Sequence, residues 1–445
     1  MSVSMRTTLR TLPRPMWALV FGTFLNRFGD FVYVFLVLYL TQHGYTAPQA
    51  GLAIGSYGVG SLVAAALGGR LTDRYGRRNA IVASMCGSAV SVLALSQTQD
   101  LFRIVLLTGA VGLTAQLYRP ASNALVADLM PEHQRVTGFA LYRLAINAGT
   151  AAGPAVAGFL IGHSYFLLFL GDAVTSLLFA AFALVALPNH VSAEQVERAA
   201  PRASAGRAHR VAVAPYRPRF LLLLTASALT SFVYAQSNTT LGLQVRVTGL
   251  SAMVYGGLLS LNGLLIIIIE LPLTSYTRKM TPHRAITVGS VLIAIGFGFT
   301  AFASSVGLLA FSVVLWTFGE MALSPVRAAY VANLAPAAAR GRYLGTLGVA
   351  RSVGQILASV LGTVLFTWNT HAFWLLCGLV GIVAAIIVFV TQRPASPCEP
   401  MRDPFQWYLP VVRTSLRVRR CCSRSVRANG KHIGSGQPPT EECRS

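Results

Sequence analysis

Three carboxylic acids lie within long apolar stretches of this 445-residue sequence: Asp30, Glu270 and Glu320. An ionised carboxylate is costly in an apolar environment, so such a group either has a buried partner or gains and loses a proton during function. All three are predicted proton-coupling residues, with Glu320 and Asp30 ahead of Glu270. The alternative is a static ion pair, because Arg27 lies three residues before Asp30 and Arg327 lies seven residues after Glu320.

A short charged turn separates two further apolar stretches. Residues 69–78 read GRLTDRYGRR, which contains one acid, four arginines and two glycines. Glycine permits a sharp turn and a close helix approach, and the charges can pair in one conformation and separate in another. The residues that give the turn this character are Gly69, Asp73, Arg74, Gly76, Arg77 and Arg78, and a resemblance described below implies that they form a gate. For Arg74 and Arg78, the alternative is that they only fix the orientation of the chain in a membrane.

The composition excludes a soluble protein. Hydrophobic residues make up 54% of the chain and charged residues 11%, whereas soluble domains contain about 25% charged residues. Continuous apolar runs, such as residues 258–271, lack the alternation of barrel strands, so the spans are predicted to be helices. Twelve transmembrane helices of about 20–25 residues fit the length, and they are predicted at residues 16–40, 51–70, 79–97, 102–127, 137–160, 164–187, 219–241, 252–273, 285–304, 307–333, 343–366 and 370–391.

Basic residues are distributed unevenly between the connections on the two sides of these spans. Segments 41–50, 161–165, 304–307 and 367–370 contain no arginine or lysine, and the connections on the other side contain most of them. Because basic loops remain in the cytoplasm, the sequence predicts a multi-pass protein of the cell membrane with both termini cytoplasmic. The same bias explains the net charge of +22, so no nucleic-acid partner is predicted.

The two halves of the sequence are related by a shift of 205 residues. At this shift Pro120 aligns with Pro325 and Arg135 with Arg340. The predicted fold is therefore two six-helix bundles related by a pseudo-two-fold axis, with a binding site where they meet. The predicted domains are a cytosolic N-terminus at 1–15, bundles at 16–187 and 218–392, a cytosolic linker at 188–217, and a basic, disordered cytosolic tail at 393–445. The cysteines show no metal-binding spacing and no phosphate-binding loop occurs, so no cofactor is predicted.

The charged turn, between the predicted second and third helices, resembles the signature loop of the major facilitator superfamily. The sequence is identified as similar to its drug/proton antiporter-like branch, whose members include multidrug efflux proteins. The resemblance implies that Asp73 faces the start of the eleventh helix near Tyr343, and that Arg77 pairs with Asp128. It implies that both contacts close the cytosolic side and break when the protein opens inward.

A second string, in the predicted fifth helix, resembles the G-x-x-x-G-P-x-x-G-G motif of antiporters within this superfamily. It comprises Gly149, Gly153, Pro154 and Gly158, and Ala157 replaces one glycine of the motif. Small residues at every fourth position allow a neighbouring helix to approach closely, and proline opens a kink by removing a backbone hydrogen bond. The resemblance favours efflux over uptake.

Helices 1, 4, 7 and 10 line the transport cavity in the superfamily. Aromatic rings beside a carboxylate suit amphiphilic or cationic substrates, whereas the alternative for each residue is ordinary packing or interfacial anchoring. The residues predicted to line the cavity on this basis are Asn26, Arg27, Tyr33, Gln116, Tyr118, Arg119, Asn123, Tyr234, Gln236 and Trp316.

The sequence is thus interpreted as a monomeric secondary active transporter. It is expected to export small lipophilic or cationic compounds in exchange for protons, by alternating access within the lipid bilayer. One alternative is a proton symporter or uniporter that takes up a sugar or another small nutrient. A second alternative is a multispan membrane enzyme or a sensor, although no histidine and acid constellation indicates catalysis.

Overall fold

The computed structural model describes residues 12–131, 134–188, 218–277, 280–334 and 340–391. Most of the predicted N-terminal segment, linker and tail lies outside these residues. Twelve helical spans are long and apolar enough to cross a membrane, which confirms the predicted all-α membrane fold. They are α1 (Arg14–Phe28 and Phe31–Gln42), α2 (Ala47–Tyr75), α3 (Arg77–Ser96), α4 (Leu101–Leu129), α5 (Arg135–Ile161), α6 (Phe166–Ala186), α7 (Pro218–Ala235 and Thr240–Val247), α8 (Ala252–Thr277), α9 (Pro282–Phe299), α10 (Val306–Leu334), α11 (Arg340–Trp368) and α12 (Thr370–Val390).

Several helices extend beyond the predicted apolar windows. Helix α2 covers 29 residues, whereas the sequence predicted residues 51–70. Its first turn is stabilised by a capping box, in which the Gln49 backbone N–H donates to Thr46 Oγ1 and the Thr46 backbone N–H donates to Gln49 Oε1. The polar turns at the ends of the helices lie outside the apolar windows, and they are helical because local hydrogen bonds of this kind stabilise them.

Helix α1 is interrupted at Gly29 and Asp30, where the sequence predicted one continuous span at 16–40. In the first turn of the second segment, the backbone N–H of Val32 has no partner within the helix. It donates instead to Asp172 Oδ2 at 3.3 Å. A Cβ atom on Gly29 would lie 1.7 Å from Thr175 Oγ1, so α6 packs directly against the break. Asp172 therefore stabilises the interruption that places Asp30 at the middle of the membrane span.

Helix α7 is interrupted at residues 236–239, directly after the positions 234 and 235 that the 205-residue shift relates to the α1 break. The buried Gln236 side chain accepts hydrogen bonds from Thr239 at 2.9 Å and Thr240 at 3.0 Å, and donates to the Phe232 carbonyl. The span then continues to Val247, past the predicted end at residue 241. Both halves thus contain the same broken first helix, as the pseudo-two-fold relation requires.

The two halves meet along two interfaces, α2 with α11 and α5 with α8. We call the side where the chain enters α1 at Arg14 the terminal side, and the other the opposite side. On the opposite side the packing is close, since a Cβ on Gly51 would lie 2.2 Å from the Ser359 carbonyl oxygen. On the terminal side, no atom of the described residues comes within 4 Å of a Cβ placed on Gly69 or Gly345. The space between α2 and α11 therefore opens to the terminal side.

We expect Gly51→Ala to open the contact on the opposite side. The added Cβ would meet the Ser359 carbonyl and Thr363 Oγ1 within 2.2 Å, and overpacking of this kind costs about 1–3 kcal/mol. Spin labels on Gln42→Cys and Thr367→Cys, one in each half, would report this as a longer distance in pulsed EPR.

The matched control is Gly257→Ala, because no atom of the part of the chain that the structure describes lies within 4 Å of a Cβ at that position. It should leave the distance distribution unchanged. A Gly51→Ala variant with the same distribution as the parent would show that this contact does not hold the halves together.

Candidate functional site: the cavity between the two halves

A small cavity lies between the halves, bounded by α1, α2, α7 and α11. The rings of Tyr33 and Tyr57 stack in its wall with centroids 4.4 Å apart. The remaining wall is uncharged and mixes polar residues, among them Ser61, Thr239, Ser352 and Gln355, with apolar ones such as Ile54 and Ala235. The cavity therefore offers an aromatic surface beside hydroxyl and amide groups.

The N-terminal half contributes a hydrogen-bonded network centred on Arg27. This side chain is 8% exposed and forms an ion pair with Asp30 at 2.9 Å. Its Nε donates to the Tyr118 hydroxyl at 3.2 Å and its Nη2 to Gln116 Oε1 at 3.5 Å. Gln116 in turn donates to the Tyr57 hydroxyl at 2.7 Å. In the structure Asp30 is therefore paired with Arg27, the partner named in the alternative of a static ion pair.

The C-terminal half places Glu320 among neutral groups. Asn262 donates to Glu320 Oε2 at 3.2 Å and to Thr317 Oγ1 at 3.0 Å, and the Tyr234 side chain lies near Glu320. Within the described residues Glu320 has no ion pair, so the predicted alternative pair with Arg327 is not formed. Glu320 is therefore a carboxyl group without a direct counter-ion near the middle of α10.

The third carboxylate, Glu270 on α8, forms an ion pair with Arg143 on α5. The pair crosses between the two halves on the terminal side of their contact. At the 205-residue shift the equivalent positions are Ala65 on α2 and Gly348 on α11. The α5–α8 interface therefore has a charged link that its symmetry mate lacks.

The predicted gate is partly engaged. Arg77 Nε lies 2.9 Å from Asp128 Oδ2, with the side chains 28% and 20% exposed. Asp73 and Arg74 are exposed, and Asp73 has no hydrogen bond or ion pair within the described part of the chain. Gly76 adopts a φ of 82°, the left-handed region that favours glycine at this turn.

The two predicted gate contacts differ in this structure. Helices α2 and α11 are separated on the terminal side, and Asp73 has no partner among the described residues. The Arg77–Asp128 pair is nevertheless intact. It joins α3 to α4 inside one half, so a movement of one half against the other does not separate its members.

The antiporter-like string of α5 contacts two helices. A Cβ on Gly149 would lie 2.7 Å from the Phe24 carbonyl oxygen of α1, and one on Gly153 would lie 2.4 Å from that of Phe28. Pro154 and Gly158 face α8 instead, where a Cβ on Gly256 would lie 2.2 Å from the Pro154 carbonyl oxygen. The string therefore lets α5 pack between α1 of its own half and α8 of the other.

Six of the ten predicted cavity residues are buried: Arg27 and Gln116 of the network above, and Asn26, Tyr118, Gln236 and Trp316. Asn26 donates to Met85 Sδ at 3.4 Å, Tyr118 is fully buried against α6, and Gln236 caps the α7 break. Trp316 is 1% exposed and stacks on Phe297. The identity of the helix on which a residue lies does not by itself distinguish a buried side chain from one that lines the cavity. Of the others, Tyr33 lines the cavity and Arg119 and Asn123 are exposed.

Two residues of these networks, Tyr57 and Asn262, were missed by the sequence reasoning. Each reaches from the second helix of its half to the polar group on the fourth, Gln116 in one half and Glu320 in the other. They are related by the 205-residue shift. A search for polar residues at equivalent positions of both halves would have found them.

The comparison with protein families decides the identity. The sequence model of the Major Facilitator Superfamily matches residues 19–320 and 249–424. The chain belongs to the Major Facilitator Superfamily. Members of this superfamily are transporters, so the protein is a membrane transporter and not an enzyme.

Individual relatives are distant. The uncharacterized MFS-type transporter YqjV of Bacillus subtilis is 27% identical over 354 residues, 78% of this chain and 85% of that protein. A Na(+), Li(+), K(+)/H(+) antiporter of Planococcus maritimus is 25% identical over 76% of this chain and 86% of its own. The multidrug resistance protein MdtH of Aeromonas salmonicida is 24% identical over 84% and 94%.

The solved structure of a peptide transporter, POT, in complex with sulfate has the same fold. It superposes with a TM-score of 0.72 and 19% identity, and covers 87% of this chain and 98% of its own. At this identity the likeness supports the fold of this superfamily member and not its substrate.

We expect Asp30→Asn to destabilise the transporter through Arg27, which would stay buried without its carboxylate. Loss of one partner of a buried ion pair costs about 3–5 kcal/mol. Because Arg27 keeps Tyr118 and Gln116 as partners, we expect the free energy of unfolding to fall by about 3 kcal/mol. Unfolding in mixed micelles measures it.

The control is Asp128→Asn, which breaks the more exposed Arg77 pair and should cost about 1 kcal/mol or less. Equal effects of the two variants would contradict the structural importance assigned to the Arg27–Asp30 pair.

Proposed function

We propose that this transporter exports small lipophilic or cationic compounds in exchange for protons. It works by alternating access as a monomer in the cell membrane, with the terminal side in the cytosol. The arginine-rich connections on the terminal side support this orientation, because basic loops stay cytosolic.

The observation that carries the proposal is the environment of Glu320. Its carboxyl lies near the middle of α10, where it accepts a hydrogen bond from the neutral Asn262 and lies near the neutral Tyr234. A carboxyl without a direct counter-ion can be neutral when the site is closed to water and ionised when it opens. Other charged groups near it are Arg327, Arg351 and Glu270, none of them within ion-pair distance.

Asp30 and Glu270 differ from Glu320 because each is paired. Arg27 holds Asp30 and Arg143 holds Glu270, so a proton on either would leave an arginine without its partner. We therefore assign proton binding to Glu320 first and give Asp30, which is 26% exposed, a secondary role. For Glu270 we propose a structural role between the halves.

The described state fits the cytosol-facing step of such a cycle. The space between the halves opens to the terminal side, and Asp73 of the gate is exposed and unpaired. On closure we expect Asp73 to reach the start of α11, where the positive end of the helix dipole favours an anion. The α5 string and the names of two relatives, an antiporter and a multidrug resistance protein, support export.

Proton exchange can be tested in proteoliposomes with an acidic lumen and a trapped pH dye. The probe is naphthylmethyl-trimethylammonium, whose permanent charge prevents it from moving protons by itself. Addition outside should raise the luminal pH as protons leave in exchange. Glu320→Gln should reduce this signal at least tenfold, while probe-for-probe exchange persists.

Asp100→Asn is the matched control, because Asp100 caps α4 on the opposite side and should leave the proton signal unchanged. A parent protein that moves the probe without protons would contradict the proposal. So would a Glu320→Gln variant with a parental proton signal.

A second candidate function is uptake of a small organic anion together with a proton. The observation that favours it is a set of arginines without partners: Arg119, Arg327 and Arg351 have no ion pair within the described residues. Protonation of Glu320 would remove a negative charge near Arg327 and Arg351 and strengthen anion binding there, which is the requirement for symport rather than exchange.

Binding of a matched anion separates the two functions. Naphthylmethanesulfonate shares the ring of the ammonium probe and has the opposite permanent charge. Tighter binding of the ammonium at high pH favours exchange, whereas tighter binding of the sulfonate at low pH favours symport.

A further inference from the structure

The two interfaces between the halves are equivalent by the 205-residue shift but differ in how far they extend. The contact of Gly58 with Ile356, between α2 and α11, is equivalent to that of Gly263 with Ala151, between α8 and α5. In both, a Cβ on the glycine would lie 2.5–2.7 Å from the partner. From the opposite side as far as these two glycine contacts, the two interfaces are alike.

Beyond this level, toward the terminal side, the α5–α8 interface continues. Glu270 lies seven residues past Gly263 on α8, about 10 Å further along the helix, and it forms an ion pair with Arg143 of the other half. The pair presents charge at the edge of the interface, which disfavours passage of an apolar molecule.

The α2–α11 interface stops at the equivalent point. Ala65 and Gly348 occupy the positions of Glu270 and Arg143. Among the described residues, no atom lies within 4 Å of a Cβ placed on Gly348, nor of one on Gly69 or Gly345 nearer the terminal side. A gap bounded by small uncharged residues therefore separates the terminal halves of these two helices.

The central cavity lies directly behind this gap. Its wall includes Ser61 of α2 and Ser352 of α11. Ser61 lies one turn from Ala65 on the same face of α2, and Ser352 lies one turn from Gly348 on the same face of α11. The residues of α5 and α8 do not line this cavity in the described part of the chain. The gap and the cavity are thus continuous.

We propose that the transported compound enters the cavity sideways from the lipid, through the gap between α2 and α11 in the terminal leaflet. The ion pair of Arg143 and Glu270 closes the equivalent path between α5 and α8. The proposal rests on the proposed export of lipophilic compounds and specifies its substrate as one that partitions into the membrane before it binds. A lipophilic molecule is concentrated in the bilayer, so a side entrance meets far more of it than a path through water.

The first test asks what fills the gap and needs no transport. Nitroxide labels on Ala65→Cys and Gly348→Cys, in cysteine-free protein in lipid nanodiscs, are exposed to oxygen, which partitions into lipid, and to a water-soluble nickel chelate. We expect oxygen to dominate, as for the lipid-facing control Leu178→Cys. A response like that of Asn123→Cys, with nickel dominant, would overturn the proposal.

The second test copies the charged pair onto the other interface. In Ala65→Glu/Gly348→Arg the gap acquires the residues of the α5–α8 interface. Transport of a naphthylmethyl ammonium probe with a decyl chain should fall at least tenfold. The trimethyl probe, which stays in water, should change less than twofold. Each single replacement is a control for loss of folding.

Equal slowing of both probes, or of neither, would overturn the side entrance while leaving proton-coupled export intact. If the parent transports neither probe, the export proposal fails, and the nitroxide measurement still decides whether lipid occupies the gap.

Discussion

Polar groups inside a lipid bilayer must find their partners within the protein, and the architecture of this transporter depends on that constraint. Each interrupted helix frees backbone groups, and each interruption is stabilised by a buried side chain: Asp172 at the α1 break and Gln236 at the α7 break. The breaks in turn place polar side chains at mid-membrane depth. Arg27 is tolerated there because Asp30, Tyr118 and Gln116 surround it.

The pseudo-two-fold symmetry explains why the two halves share one architecture. The departures from this symmetry explain why their polar networks differ. Tyr57 and Asn262 occupy equivalent positions and reach equivalent helices, but one contacts a neutral amide and the other a carboxylate. The N-terminal half therefore holds a compensated ion pair. The C-terminal half holds Glu320 without a direct counter-ion, so the proton chemistry is assigned to one half and the fixed network to the other.

Small residues determine where the halves can touch. Gly51, Gly58, Gly256 and Gly263 all lie against backbone or side chains of the other half. Where the small residues continue without a facing partner, as at Gly348, the same residue type leaves a gap instead of a contact. Glycine therefore permits both a close contact between helices and a gap between them. The position of the neighbouring helix determines which of the two forms.

The sequence by itself determined the twelve helices, the two related halves and the superfamily, because hydropathy, charge bias and the turn at 69–78 are local or periodic properties. It also identified Glu320 and Asp30 as unusual. Only the tertiary structure decided that Asp30 is paired and Glu320 is not, and that Asn26 and Trp316 face away from the cavity. Those outcomes depend on which helices pack together and at what rotation, and a single helix's residue pattern contains neither quantity.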